Sequence, residues 1–356
     1  MRSALPENQA LLPSDDGAPD ATLACVVLAH ADPTHLHRLV DALDPFPVFV
    51  HCDARTPDEV YDAMADGLPA RARMMSRLRT GWARFENVEA EIEGYRLALE
   101  TTDVTHVALL TGSDYPIASS VEIAELLAEH VGESFAYLHA LPHPEWRAGG
   151  YGRLRYRHWA WNKRMLRLPV PRRLPTGVVF AGGSQLKVLA RHHAQAVVDA
   201  YDQNPDLVAF WRRSWVADET FVASILKTPR FVPHWEDELV TTSLWFIGWD
   251  GRRRKSPPWL TTEAVPALLT RRTDPRIPTD HVFARKFTTG TTDDVLDVLD
   301  DRFALRGPAR DELRRRMSAA APAMSGPQVP SGPQGSSVPQ DESVAPSVDL
   351  PTTGVR

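Results

Sequence analysis

Apolar residues run unbroken from Leu23 through Ala29 and stop at His30. Seven nonpolar positions without polar alternation predict a strand covered on both faces. The period then changes. Leu36, Leu39, Val40 and Leu43 recur at three- and four-residue spacing, the stripe of an amphipathic helix that Asp32 or Thr34 is placed to cap. "FPVFVHCDAR" predicts a second strand ending at Asp53, and "ENVEAEIEGYRLALE" a long helix. "HVALLTGSDYPIAS" starts as a buried strand and ends in the polar turn Thr111-Gly112-Ser113-Asp114, closed by Tyr115-Pro116. The order strand, helix, strand, helix, strand predicts an α/β fold with a nucleotide-binding sheet. Three strands end in His30, Asp53 and Asp114, at the carboxyl edge where open α/β sheets take their ligands.

The chain has neither the Gly-x-Gly-x-x-Gly turn of a dinucleotide fold nor the P-loop string Gly-x-x-x-x-Gly-Lys-Ser/Thr. Its 356 residues are 43% hydrophobic and 24% charged, enough apolar mass for a sizeable core. Residues 1–21 are rich in Pro, Asp and Ser and read as a flexible segment, while 318–356 read as a disordered Pro/Ser/Gly-rich tail. The folded unit expected between them is a single domain over 22–317. A formal charge of −6 argues against a dedicated nucleic-acid partner. The two cysteines, Cys25 and Cys52, lie in apolar runs and read as buried thiols rather than a disulfide. With no apolar leader or membrane-spanning stretch, the expected compartment is cytoplasmic.

The strings "VVLAHADPTHLHRLVDAL", "VFVHCDAR", "GWARFENVEAEIEGYRLAL", "HVALLTGSDYPIAS", "GGSQLKVLAR", "ADETFVASIL" and "VFARKF" occur in that order. Together they resemble the core-2/I-branching family, which holds β-1,6-N-acetylglucosaminyltransferases and peptide O-xylosyltransferases. The likeness runs over about residues 22 to 305. It implies a GT-A-type glycosyltransferase fold, with a Rossmann-like nucleotide-binding sheet and an acceptor-binding C-terminal half. It also implies inverting transfer from a UDP-sugar to an acceptor hydroxyl, with no divalent metal and no cofactor. N-acetylglucosamine is the favoured sugar and xylose the alternative.

The residues bear on the metal directly, because most GT-A enzymes hold a cation against the donor diphosphate with an Asp-x-Asp pair and this chain contains none. Side-chain cations must then meet the phosphate oxygens. The family's Phe-Ala-x-Lys-Phe lysine contacts the diphosphate, which gives that role to Lys286, with Arg285 beside it. Arg254 or Lys255 is the expected helper, although the run 252–255 also reads as a solvated basic loop. "SWVADETF" resembles the family's Pro-Asp-Glu segment, whose Glu is the catalytic base, and so points to Glu219, with Ala217 in place of the usual Pro. A carboxylate in hydrogen-bond reach can take the proton of an attacking sugar hydroxyl. Without the resemblance, Asp218 and Glu219 read as acids flanking a helix N-terminus.

Asp53 matches a family acid expected on uridine or ribose, or is a strand-end turn residue. Asp114 matches an acid expected to line the donor pocket, or accepts backbone N–H groups and holds the turn. His30 is expected near the nucleotide base, or as a hydrogen-bonded histidine. His30, His35 and His37 are not spaced to bring three metal ligands to one helical face. Residues 143–173 mix Trp, Tyr, Arg and Gly with little periodicity and read as acceptor loops, with Glu145, Trp146 and Arg153 as candidates. The competing reading of so basic a segment is contact with a membrane surface or nucleic acid. The expected partners are therefore a UDP-sugar and a glycan, glycolipid or small acceptor, with peripheral membrane contact left open and no transmembrane segment. Two rival classes remain: a degenerate relative that binds nucleotide sugar or glycan without turnover, and a metal-dependent phosphoryl-transfer or hydrolytic enzyme using Asp114 as nucleophile.

Overall fold

The computed structural model describes residues 22–81, 83–144, 146–161, 164–249, 256–271, 280–303 and 311–315, without the side chains of 160, 161, 164 and 165. All fall in the first of two compact units, Met1–Met324 and Ser325–Arg356. The chain opens with β1 (Leu23–Ala29), α1 (Pro33–Ala42), β2 (Val48–Cys52), α2 (Asp58–Ala65), β3 (Ala72–Met74), α3 (Glu86–Thr101) and β4 (His106–Thr111). The predicted alternation is present, extended by α2 and β3. β5 (Asp114–Pro116), α4 (Ser120–Ala128), β6 (Ser134–Ala140), β7 (Tyr156–Trp161), β8 (Arg164–Pro171) and β9 (Ala181–Ala190) come next. The remainder is α5 (Arg191–Gln203), α6 (Pro205–Trp211), α7 (Phe221–Leu226), β10 (Leu239–Val240), β11 (Trp245–Ile247), α8 (Val265–Thr270), β12 (Phe283–Arg285) and α9 (Asp293–Phe303).

One seven-stranded sheet has the order β10-β6-β9-β4-β1-β2-β3. β1 pairs in parallel with both β2 and β4, whereas β9 runs antiparallel to β4 and β6. The winding thus reverses between β1 and β4, the crevice where open α/β sheets bind ligands. A small sheet, β11-β12-β5, stands apart from it, and β7 and β8 form a separate ribbon.

The unbroken apolar run of β1 has a simple cause. Its period of two sends Leu23, Cys25 and Val27 into one layer with Leu36, Leu39 and Val40 of α1. Ala24 and Val26 enter the other layer, against Val88, Ile92 and Tyr95 of α3. Both faces of the strand are therefore dry. α3 lies so close that a Cβ on Gly94 would stand 2.3 Å from Val26 Cγ1, so only glycine fits that helix position. Across the same layer Lys187 Nζ of β9 and Tyr95 Oη both donate to Glu91 Oε1, at 2.7 and 2.8 Å, tying α3 to the sheet. Both cysteines are buried and free, and burial pushes the Cys25 thiol up to about 12.

The segment read as loops is a correction. Arg147–Arg153 is not one helix but short turns broken at Ala148, Gly149 and Gly150, whose φ values are 53°, 62° and 86°, and Tyr156–Trp161 and Arg164–Pro171 pair as the β7–β8 ribbon. Its alternation, Leu166, Leu168 and Val170 against Arg167, Pro169 and Pro171, is hidden in the sequence because prolines and arginines imitate a loop composition.

Buried titratable groups make the fold sensitive to acid. His51, His106 and His193 are each at most 1% exposed, and burial lowers each imidazole from 6.5 to about 4. Asp218 moves the other way, raised to about 7 by burial and then by the neighbouring Glu219 carboxylate. Between about pH 6.5 and 4 the unfolded chain holds three more protons on those histidines, and the folded chain one more on Asp218. The net proton uptake on unfolding makes these groups stabilise the fold less as pH falls through that window. Urea midpoints should fall steadily across that range; a flat profile would contradict it.

Candidate active site

The carboxyl ends of β1 and β4 open into a cleft of about 1280 Å³. Its floor carries Leu28 of β1 with His30 and Asp32 of the turn after it, and Thr111 of β4 with Gly112 and Ser113 of the turn after it. Asp32 is the N-cap of α1, accepting from His35 N at 3.1 Å. The same carboxylate accepts Thr288 Oγ1 at 2.7 Å, Thr289 N at 2.8 Å and Thr289 Oγ1 at 2.6 Å. Burial opposes its ionisation, but those hydrogen bonds outweigh burial and hold it at about 2. The segment after β12 is thereby fastened over the end of β1, and that tether places Lys286.

Lys286 and Arg285 both line the cleft. Lys286 Nζ donates to Ser256 Oγ at 3.2 Å and stands 4.1 Å from the centre of the Trp259 ring. Burial, and then the Arg285 charge, lower its pKa. Trp249 and Trp259, 55% and 37% exposed, also line the cleft. Large rings left this open inside a concave site suit the stacking of a flat ligand face.

The remaining wall is built from Tyr137, Trp146, Arg153, Gly183, Asp218 and Glu219. Arg153 Nη1 donates to Glu219 Oε2, and its guanidinium carbon lies 5.7 Å from the Trp146 ring centre. Trp146, Arg153 and Glu219 are thus one contact group, although 66 residues separate the ion-paired residues. Glu219 ends the 3₁₀ turn Ala217–Glu219, which Val216 enters at φ 52°. A β-branched residue is strained there. Val216 N donates at 3.2 Å to the carbonyl of Ala83, itself at φ 61°, and both residues line the cleft. Strain of this kind persists only where the surroundings enforce it, and it gathers at functional sites.

Two predicted donor residues do not reach the cleft. Asp114 is fully buried: Thr111 N and Trp245 Nε1 donate to its Oδ2 at 2.9 and 3.1 Å, and Thr111 Oγ1 to its Oδ1 at 2.8 Å. Arg285 Nε stands 3.6 Å from Oδ1, and Arg285 is the register partner of Asp114 between β12 and β5. Asp114 therefore holds the turn and steadies Arg285 rather than lining the pocket or serving as a nucleophile. Asp53, 6% exposed, accepts Arg55 N, Nε and Nη2 at 2.8, 3.1 and 2.6 Å and Thr80 Oγ1 at 2.8 Å. Burial raises its pKa and those bonds lower it further, to about 2. It stabilises the β2 turn, outside the cleft lining.

His30 is exposed and does line the cleft. His35 and His37 make structural contacts, their Nε2 atoms lying 3.2 Å from the Asp114 carbonyl and 2.9 Å from that of Ala63. Glu145, Arg254 and Lys255 lie outside the described residues. The sequence reading missed Tyr137, Trp249 and Trp259 as cleft residues, because an exposed aromatic carries no local signal. It took Asp32 only as a helix cap.

An α/β chain with a parallel first half, an antiparallel β9 set into the same sheet and a cleft at the winding reversal has a GT-A-type architecture. The chain belongs to the core-2/I-branching enzyme family, whose model matches residues 26–271, more than half of its length. This is a family of glycosyltransferases, which implies a nucleotide-sugar donor and a glycan acceptor. No curated protein matches the chain. Among solved structures it is similar to a putative glucose-1-phosphate thymidylyltransferase from Bacillus anthracis in complex with a sucrose, with 8% identity, 64% of this chain and 88% of that one covered, and a TM-score of 0.31. It is also similar to HddC from Yersinia pseudotuberculosis, with 7% identity, 48% and 79% covered, and a TM-score of 0.25. At such scores neither likeness bears on the site. Among the described residues no helix is long and apolar enough to cross a membrane.

Proposed function

We propose that the chain is an inverting glycosyltransferase that moves a sugar from a UDP-sugar to an acceptor hydroxyl without a divalent metal. N-acetylglucosamine is the favoured sugar and xylose the alternative. The observation that carries this reading is one cleft lined both by Glu219 with Arg153 and Trp146 and by Lys286 with Arg285. Glu219 takes the acceptor hydroxyl's proton as that oxygen attacks the anomeric carbon. The bond to the diphosphate breaks on the opposite side of the sugar, so the single displacement inverts it. UDP leaves with negative charge that Lys286 and Arg285 are placed to meet. Arg153 orients the base, and the Trp146 ring offers a face to the acceptor sugar.

The missing Asp-x-Asp supports the metal-free form of this chemistry. UDP and its sugars should raise the melting temperature by the same amount with and without EDTA, since a ligand of the native state stabilises by mass action. Turnover abolished by EDTA and restored by Mn²⁺ would show that the diphosphate needs a cation after all.

The acceptor side continues directly into the β7–β8 ribbon, where Trp159, Leu166, Leu168 and Val170 are 51%, 40%, 40% and 55% exposed. Trp159 and Leu166 are cross-strand partners, and Arg155, Arg157 and Arg167 are exposed around them. No Asp or Glu occurs from 147 to 198, in a chain of net charge −6. Apolar side chains ringed by arginine suit an anionic lipid surface, so the acceptor is proposed to be met there. The protein should co-sediment with vesicles containing phosphatidylglycerol more than with pure phosphatidylcholine, and the double substitution Trp159→Ser, Leu168→Ser should remove most of that binding. Equal recovery with both vesicles would end the idea.

A further inference from the structure

A second cluster lies at the sheet edge away from the cleft. β4 ends at Thr111 in the cleft and begins at His106, which is the register partner of Ala190, the last residue of β9. α5 starts directly after, with Arg191, His192 and His193 in its first turn. The edge strand β10 pairs with β6 through Leu239 and Ser134, and Ser134 N donates to the Glu238 carbonyl at 2.8 Å. That pairing brings Glu238 against the start of α5. His192 Nε2 and His193 Nε2 each lie 3.1 Å from Glu238 Oε2, and the three potential ligand atoms are all within 4.8 Å of one another.

We propose that His192, His193 and Glu238 form a binding site for a zinc-like divalent cation, separate from the cleft and its chemistry. Two imidazole nitrogens and a carboxylate oxygen are a donor set that Zn²⁺ takes readily. With bonds near 2.0–2.1 Å, neighbouring ligands of a tetrahedral ion stand about 3.3 Å apart, close to the two contacts described. A ligating histidine also needs its other nitrogen held, and His193 Nδ1 lies 2.7 Å from Ser134 Oγ. Ser134 is fixed in turn, since its Oγ accepts Ala190 N–H at 2.8 Å. His193 is 1% exposed, so its ring is held in place by the surrounding packing. The His192 and Glu238 side chains are 53% and 38% exposed, so the ion has an entry path and water can complete its shell. A bound ion would replace the protons now shared with Glu238 and clamp the two-residue β10 to α5.

The test uses the full, untagged chain freed of metal by chelation. Calorimetric titration with Zn²⁺ should show one tight equivalent, accompanied by a higher melting temperature, and Co²⁺ should give the visible bands of a four-coordinate ion. His192→Ala and Glu238→Gln, at partly exposed positions, should each weaken Zn²⁺ binding by about tenfold or more, and Ser134→Ala by about tenfold through loss of ring orientation. Circular dichroism on each variant checks that the fold is intact. Absence of binding to the native chain at micromolar Zn²⁺ overturns the proposal, as does binding left unchanged in both His192→Ala and Glu238→Gln.

Discussion

Glu219→Gln should lower turnover by roughly 10² to 10⁴ fold while UDP-sugar affinity stays near that of the native chain. The amide keeps the size of the side chain and an oxygen for Arg153, whose Nη1 donates to Oε2, so the 3₁₀ turn Ala217–Glu219 should persist. What is lost is the ability to accept the acceptor's proton. The effect therefore belongs in kcat with a verified acceptor, and binding of UDP alone serves as the control. Full activity in this variant would move the base elsewhere. Asp218 is then the next carboxylate to replace, because it lines the same cleft and burial, with the Glu219 charge, raises its pKa to about 7.

Lys286→Ala should fail differently, weakening UDP itself by roughly tenfold to a hundredfold and lowering kcat as well. A charge-assisted hydrogen bond to phosphate contributes about 1.5–3 kcal/mol, and it acts on the bound diphosphate before and during departure. The substitution also empties the place over the Trp259 ring and breaks the contact with Ser256 Oγ. Lys286→Arg separates these effects, since it restores charge but not shape and should recover part of the affinity. The measurement is calorimetric Kd for UDP beside steady-state kinetics. An unchanged Kd in Lys286→Ala would remove Lys286 from the diphosphate site.

The different fates of four acidic residues show what kind of information each position carried. In the sequence Asp53, Asp114 and Glu219 look alike, as acids in polar turns at element ends. In the fold Asp53 is occupied by Arg55 and Thr80, Asp114 by Thr111 and Trp245, and of these three Glu219 alone lines the cleft. Asp32 looked like a helix cap and is one, yet it also binds Thr288 and Thr289, more than 250 residues away in the chain. Local rules found the cap because capping acts over three or four residues. Nothing local could report the second role.

By itself the sequence determined β1, α1, β2, α3 and β4, and with them the α/β class, because strand and helix periods are written in neighbouring residues and set by which faces must be dry. Its ordered motifs also determined the family. Only the tertiary structure decided that β9 enters antiparallel between β4 and β6, that β7 and β8 pair as a ribbon, and that Asp53 and Asp114 are withdrawn from the cleft. It alone joined Arg153 to Glu219 and His193 to Glu238, pairs 66 and 45 residues apart. The physical reason is that hydrogen-bond satisfaction and burial depend on which distant segments share the same space, and that is settled by packing rather than by any pattern along the chain.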